Sequence, residues 1–184
     1  MVFRAFIAVE AGAGLRHEAL RAELASSGAQ LRLVEPRNLH LTLRFLGDIE
    51  EARVDEIHGA MKRSVGGVAP FEIGFHGAGA FPNLSYIRVV WVGLRGAEPL
   101  QELARRLDAE LSGIGMEKEG GFSPHITLAR VKSRAGRERL QEILRARADE
   151  DFGSMRVEKV KLKRSVLGRE GPVYSDVREV ALEG

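Results

Sequence analysis

The stretch Asn38-Leu39-His40-Leu41-Thr42-Leu43-Arg44-Phe45-Leu46-Gly47 constrains this chain more than any other. Its pattern returns in the second half as Ser123-Pro124-His125-Ile126-Thr127-Leu128-Ala129-Arg130-Val131. In each copy a histidine and a threonine two residues apart alternate with large aliphatics, the period of a half-buried β-strand. Histidine and threonine therefore share one face. Leu41, Leu43 and Phe45 in the first copy, and Ile126 and Leu128 in the second, form the opposite face, apolar enough to pack on helices. Two strands that each aim an imidazole and a hydroxyl the same way can build a paired acid/base site if the fold brings those faces together.

The rest of the chain reads as a frame for the two strands. Phe3 to Val9 predicts a strand, and Leu15 to Ala25 recur at helical spacings over about 13–27, with Gly28 as a stop. After the first motif strand, which Gly47-Asp48 should end, Val54, Ile57 and Met61 predict a helix over about 50–64. A strand over about 70–79, a turn at Phe81-Pro82-Asn83 and a strand from Tyr86 to Val92 read as an antiparallel pair. Pro99 opens a helix whose Leu100, Leu103, Leu107 and Leu111 form one stripe. The second motif strand over about 122–131 precedes a helix over about 136–149 and strands over about 154–167 and 173–182. Helix, motif strand, helix, strand, strand thus occurs twice. The expectation is an α+β fold, a single domain over 1–184 made of two lobes related by an approximate two-fold axis, one motif strand in each half. Under that symmetry His40 faces His125 and Thr42 faces Thr127.

Size and composition limit the chemistry. The chain of 184 residues is long enough to bury a substantial core, and it contains no cysteine, which excludes disulfides, thiolate metal sites and a cysteine nucleophile. It shows neither an apolar run long enough to span a bilayer nor a signal-like leader, so a soluble, cytoplasmic monomer without a membrane or protein partner is expected. A net charge of only +2 gives no whole-molecule field for long nucleic acid, so an RNA partner would be held at an end or in a local pocket. Lys159, Lys161 and Lys163 alternate with Val160 and Leu162 and read as the wet face of an antiparallel strand, with contact to RNA phosphates as the competing reading. His17 and His58 fall on helices and read as solvated.

Histidine exchanges a proton near neutrality, and a pair can divide the roles, one neutral as base and one charged as acid. A threonine one pleat away can donate to an oxygen held between the imidazoles. In-line displacement at an anionic phosphorus suits this set, with a proton taken from the nucleophile on one side and one given to the leaving oxygen on the other. No metal or other cofactor is expected, since His-x-Thr lacks a second ligand of the usual kind.

At these residues the sequence resembles the 2H phosphoesterase superfamily, named for two His-x-Thr motifs. More narrowly, it resembles the RNA 2′,3′-cyclic phosphodiesterase (2′-5′ RNA ligase, LigT-like) family. Further similarity runs through Gly79-Ala80-Phe81-Pro82, Trp91-Val92-Gly93, Ser165-Val166-Leu167-Gly168 and Gly171-Pro172-Val173-Tyr174. The resemblance implies two antiparallel sheets forming a V-shaped cleft, and metal-independent hydrolysis of RNA 2′,3′-cyclic phosphate ends to 2′-phosphates. It gives His40 the protonation of the departing 3′ oxygen, His125 the activation of water, and Thr42 and Thr127 the nonbridging oxygens. It also carries Arg44, Arg130 and Phe122 as substrate-binding residues. Arg44 has the parity of His40 and should look into the cleft; Arg130 has the wrong parity and needs a bulge to reach it; Phe122 would stack a base or serve the core. The alternatives are joining or cleaving 2′-5′ linkages, a phosphodiesterase for a small cyclic nucleotide, and a noncatalytic RNA-end binding module.

Overall fold

The computed structural model describes residues 1–12, 14–119, 121–168 and 171–184. Its strands are β1 (Val2–Glu10), β2 (Leu31–Leu33), β3 (His40–Glu50), β4 (Phe71–Asn83), β5 (Tyr86–Arg95), β6 (Ile126–Val131), β7 (Asp151–Val157), β8 (Lys159–Gly168) and β9 (Gly171–Ala181). The helices are α1 (Glu18–Ala25), α2 (Val54–Val65), α3 (Glu98–Gly113) and α4 (Arg137–Ala146). No helix among the described residues is long and apolar enough to cross a membrane.

Amphipathic spacing decides which helix faces are buried. The predicted stripe on α3 is realised, with Leu100, Leu103, Leu107 and Leu111 all at 0% exposure, and α2 buries Ile57 and Met61 as fully. Each such side chain contributes roughly 1.5–3 kcal/mol by leaving water. Helices α2 and α3 pack on each other and on β9 and β3, whereas α1 and α4 back β2 and β4.

All strand pairs in the sheet are antiparallel, in the order β7-β4-β5-β6-β3-β1-β8-β9, with β2 also on β6. The expected pair of sheets is in fact continuous, although the two arms meet through one residue pair, Leu41 opposite Ile126. The arms do not correspond to the halves of the chain. One arm holds β3, β1, β8 and β9; the other holds β6, β5, β4 and β7. Written as β-α-β-α-β, the repeat runs β1-α1-β3-α2-β4 and then β5-α3-β6-α4-β8, with β2, β7 and β9 as additions. Each unit hands its first helix and last strand to the other arm.

Several boundaries shift for local reasons. The expected strand over 154–167 is two strands, because the chain crosses from one arm to the other at Glu158, between β7 and β8. The turn expected at Phe81-Pro82-Asn83 is strand, and the chain reverses at Leu84-Ser85. Strand β3 runs through Gly47, whose φ of 67° sits in the left-handed region that a glycine adopts without steric cost. The expected connector at 168–172 includes residues 169 and 170, which lie outside the described residues.

Candidate active site

The single pair joining the arms is formed by the middle residues of the two motifs. Leu41 and Ile126 point to the helix side, at 1% and 0% exposure. Alternation then turns their neighbours, His40, Thr42, His125 and Thr127, to the opposite face across strands spaced about 4.8 Å apart. All four line one cavity of about 940 Å³. Twin motifs distant in sequence thus converge.

Both imidazoles are anchored in the same way. His40 Nδ1 lies 2.7 Å from the carbonyl of Asn38, and His125 Nδ1 lies 2.7 Å from the carbonyl of Ser123. A carbonyl can only accept, so Nδ1 carries the hydrogen in each ring and Nε2 is left as the proton-exchanging atom. Aromatic contacts hold the rings. Phe6 lies 4.9 Å from His40, with Tyr174 edge-on at 5.2 Å; Phe81 is edge-on to His125 at 4.9 Å and 5.4 Å from Trp91. Trp91 lies so close against β4 that a Cβ on Gly79 would collide with its ring, which leaves room only for glycine there.

Charge around His40 is organised by a quartet of two buried lysines and two exposed carboxylates. Lys161 bonds Glu10 and Asp176 at 2.6 Å each, and Lys163 bonds the same two carboxylates at 2.5 Å. These lysines are 9% and 6% exposed, so the reading of a wet face fails for both; Lys159 alone is exposed, paired with Glu179. Burial works against the charge of Lys161, but its bonds to Asp176 and Glu10 outweigh it and raise its pKa. Burial likewise opposes the charges of Glu10 and Asp176, and the two lysines overcome it and lower both. His40 itself is shifted down. Burial is the main cause, helped by Lys163 and His125 and opposed by the Asn38 carbonyl and Glu10. Glu10, the residue opposite His40 in the β1–β3 ladder, is committed to the lysines.

One bulge in each motif strand decides what else reaches the cavity. In β3 the register passes from Thr42 opposite Ala8 to Arg44 opposite Ile7, leaving Leu43 as the extra residue. Arg44 therefore shares the side of Ile7, away from Thr42, and the parity that aimed it into the cleft does not hold. It is 6% exposed, with Nε 3.2 Å from Asp108 and Nη1 3.2 Å from Glu119, and it donates to the Glu117 carbonyl. Its charge is spent on α3 and the segment after it, at the wall of the cavity. Phe45, expected on the apolar face, instead pairs with Phe6 and opens to the cleft at 59% exposure.

The second copy has the same bulge with the opposite result. Thr127 lies opposite Trp91 and Ala129 opposite Val90, so Leu128 is the extra residue. Ala129 turns to the core, and Arg130 joins Val89 on the cavity wall. This is the bulge that Arg130 needed. Phe122 lines the cavity while packing against the core, so it does part of each role foreseen for it.

Sequence reasoning missed Phe6, Tyr174 and the quartet. Tyr174 comes from β9 at the far end of the chain; burial raises its phenol pKa, while the charges of Arg130 and Arg32 oppose the rise. Of the remaining histidines, His17 is buried rather than solvated, its Nδ1 3.1 Å from the Leu15 carbonyl. His76 meets Arg95 outside the cavity, and His58 is half-buried on α2.

Residues 9–168 match the 2′-5′ RNA ligase superfamily. The chain belongs to that superfamily. Within it, an RNA 2′,3′-cyclic phosphodiesterase of Methanothermobacter thermautotrophicus is 43% identical over 179 residues, covering 96% of this chain and 97% of the relative. A protein of the same name from Aquifex aeolicus is 40% identical over 155 residues, covering 82% and 81%. A crystal structure of a protein from Thermus thermophilus aligns over 98% of both chains with a TM-score of 0.75 at 31% identity. Escherichia coli LigT complexed with 3′-AMP aligns over 100% of both with a TM-score of 0.76, and at 24% identity it shows the shared 2H phosphoesterase fold.

Proposed function

We propose that the chain hydrolyses the 2′,3′-cyclic phosphate at an RNA 3′ end to a 2′-phosphate, by paired acid/base catalysis without a metal. The observation that carries this reading is the pair of anchored imidazoles, each with Nε2 free to exchange a proton, beside two threonines in one cavity. The names of the superfamily relatives support the same substrate.

In this reading His125 takes a proton from water as its oxygen attacks phosphorus. The bond from phosphorus to O3′ breaks, and His40 delivers its proton to that oxygen. Burial keeps His40 towards its neutral form in the free protein, and an anionic phosphate against Nε2 works the other way, so substrate binding brings in the proton that is later delivered. Thr42 and Thr127 donate to the nonbridging oxygens, and Arg130 supplies positive charge. With a 5′-hydroxyl attacking phosphorus in place of water and the same P–O3′ bond breaking, the same groups would join a 2′-5′ linkage, the activity for which the superfamily is named. Both motifs come from one chain, which supports a monomer, and the cysteine-free sequence suits the cytoplasm.

The test is incubation with a short RNA ending in a 2′,3′-cyclic phosphate, with and without EDTA. A 2′-phosphate product that forms equally in both is expected. No hydrolysis, a 3′-phosphate product, or strict loss on chelation would each overturn the reading.

A further inference from the structure

Outside the cavity, several arginines without a carboxylate partner gather round one exposed aromatic ring. Tyr86, at the outer end of β5, is 43% exposed, with the guanidinium carbons of Arg88 and Arg134 at 5.8 and 5.6 Å from its ring centroid. Arg137, at the start of α4, donates to the Ser85 carbonyl at 3.2 Å, and a small hollow beside the ring is lined by Ser133, Arg134 and Arg137. Among the described residues no carboxylate pairs with Arg88, Arg130, Arg134 or Arg137. Other arginines, such as Arg53, Arg63, Arg105 and Arg147, each have a glutamate partner. Like charges gathered round one exposed ring repel unless an anion joins them.

The ladder connects this cluster to the cavity. Arg130 stands opposite Val89, and both line the cavity wall. Because β5 and β6 are antiparallel, the chain from Arg130 to Arg134 runs beside Val89 to Tyr86. Arg88 is the extra residue between Ile87 and Val89 in the β4–β5 ladder, so Tyr86, opposite Asn83, returns to the face of Val89. Three strand residues span about 10 Å, within the length of a short oligonucleotide.

We propose that the RNA chain leaves the cavity past Arg130 and lays a base on Tyr86, with Arg88, Arg134 and Arg137 against its phosphates. This rests on the proposed reaction, which it deepens by naming the substrate as an oligoribonucleotide and not a mononucleotide. Aromatic rings flanked by arginines hold single strands in this way without reading their sequence.

The experiment is fluorescence anisotropy with a labelled RNA hexamer ending in a 2′-phosphate, with unlabelled 2′-AMP as competitor and thermal melting to confirm folding. Wild type should bind the hexamer more tightly than 2′-AMP. Tyr86→Ala and Arg134→Glu should each weaken the hexamer about tenfold while 2′-AMP binding stays the same, and Tyr86→Trp should keep the affinity. Arg134→Glu, in an exposed loop, should also flatten the salt dependence. Equal affinities for hexamer and 2′-AMP in wild type, or unchanged hexamer binding by both weakened variants, would overturn the proposal. Binding that follows these expectations while a cyclic-phosphate end is left intact would support the strip and count against the reaction.

Discussion

The surroundings of His40 and His125 begin alike and then diverge. Both rings bond the carbonyl two residues upstream, both strands bulge one residue after threonine, and both place a third side chain on the cleft beyond the bulge. That third residue is Phe45 on one arm and Arg130 on the other. Behind His40 lies a neutralised quartet of two buried lysines under two exposed acids, whereas His125 rests on Phe81 and through it on Trp91. A repeat can therefore copy the anchoring of an imidazole while leaving each arm to set its own charge. On the proposed reaction, symmetry would supply the paired acid and base, and departures from it would divide their roles.

The largest expected effect tests what is shared. His40→Ala and His125→Ala should each lower kcat by at least 10²- to 10⁴-fold, the range for a positioned acid or base, whereas Thr42→Ala and Thr127→Ala lose one hydrogen bond to an anion, worth about 1.5–3 kcal/mol or roughly ten- to a hundredfold. Steady-state rates on a cyclic-phosphate RNA measure the gap. Near-normal turnover by either histidine variant would break the equivalence of the arms.

The two arginines sharpen the difference between the arms. Arg130→Ala should cut kcat/KM by roughly ten- to a hundredfold with little change in stability. Arg44→Ala should do the reverse, costing about 2–3 kcal/mol of stability because Asp108 and Glu119 lose their partner, while the rate per folded molecule changes little. Urea unfolding beside kinetics separates the two, and matching profiles would refute the bulge argument.

A smaller effect should appear in pH dependence. The pKa of His40 is lower folded than unfolded, so its contribution to stability is present above the unfolded value of about 6.5 and is lost as pH falls from there through the folded value. Urea midpoints at pH 7.5 and 5.5 should fall further for wild type than for His40→Gln. An equal fall would show that burial of His40 does not shift its titration.

Much of this site was legible because alternation is a local property. His40, Thr42, His125 and Thr127 could be placed on one face from their own strands. What lay beyond Thr42 and Thr127 could not, because a bulge changes parity without any mark in the sequence: Arg44 carried the right spacing yet meets the cavity only at its wall, bound to Asp108 and Glu119, while Arg130 carried the wrong spacing and lines it without a carboxylate partner among the described residues. The lysines at 161 and 163 alternate as an exposed row would, yet the acids that cover them, Glu10 and Asp176, come from β1 and β9 and are close only after folding. The break at Glu158 was hidden for a similar reason. Strands on either side of it continue one apolar pattern, although they belong to different arms. Three-residue β2 is too short to show any period.

The lone bridge between Leu41 and Ile126 gives the molecule a mechanical character of its own. Strand pairing joins the two ladders at that point alone, and the helices and core shared between the arms supply the rest of their connection. His40, Thr42, His125 and Thr127 flank that bridge, so any change of angle between the ladders would move them less than hairpin tips far from it. On the proposed reaction, such an arrangement would let the mouth of the cleft adapt to its substrate while the groups at the phosphorus kept their spacing.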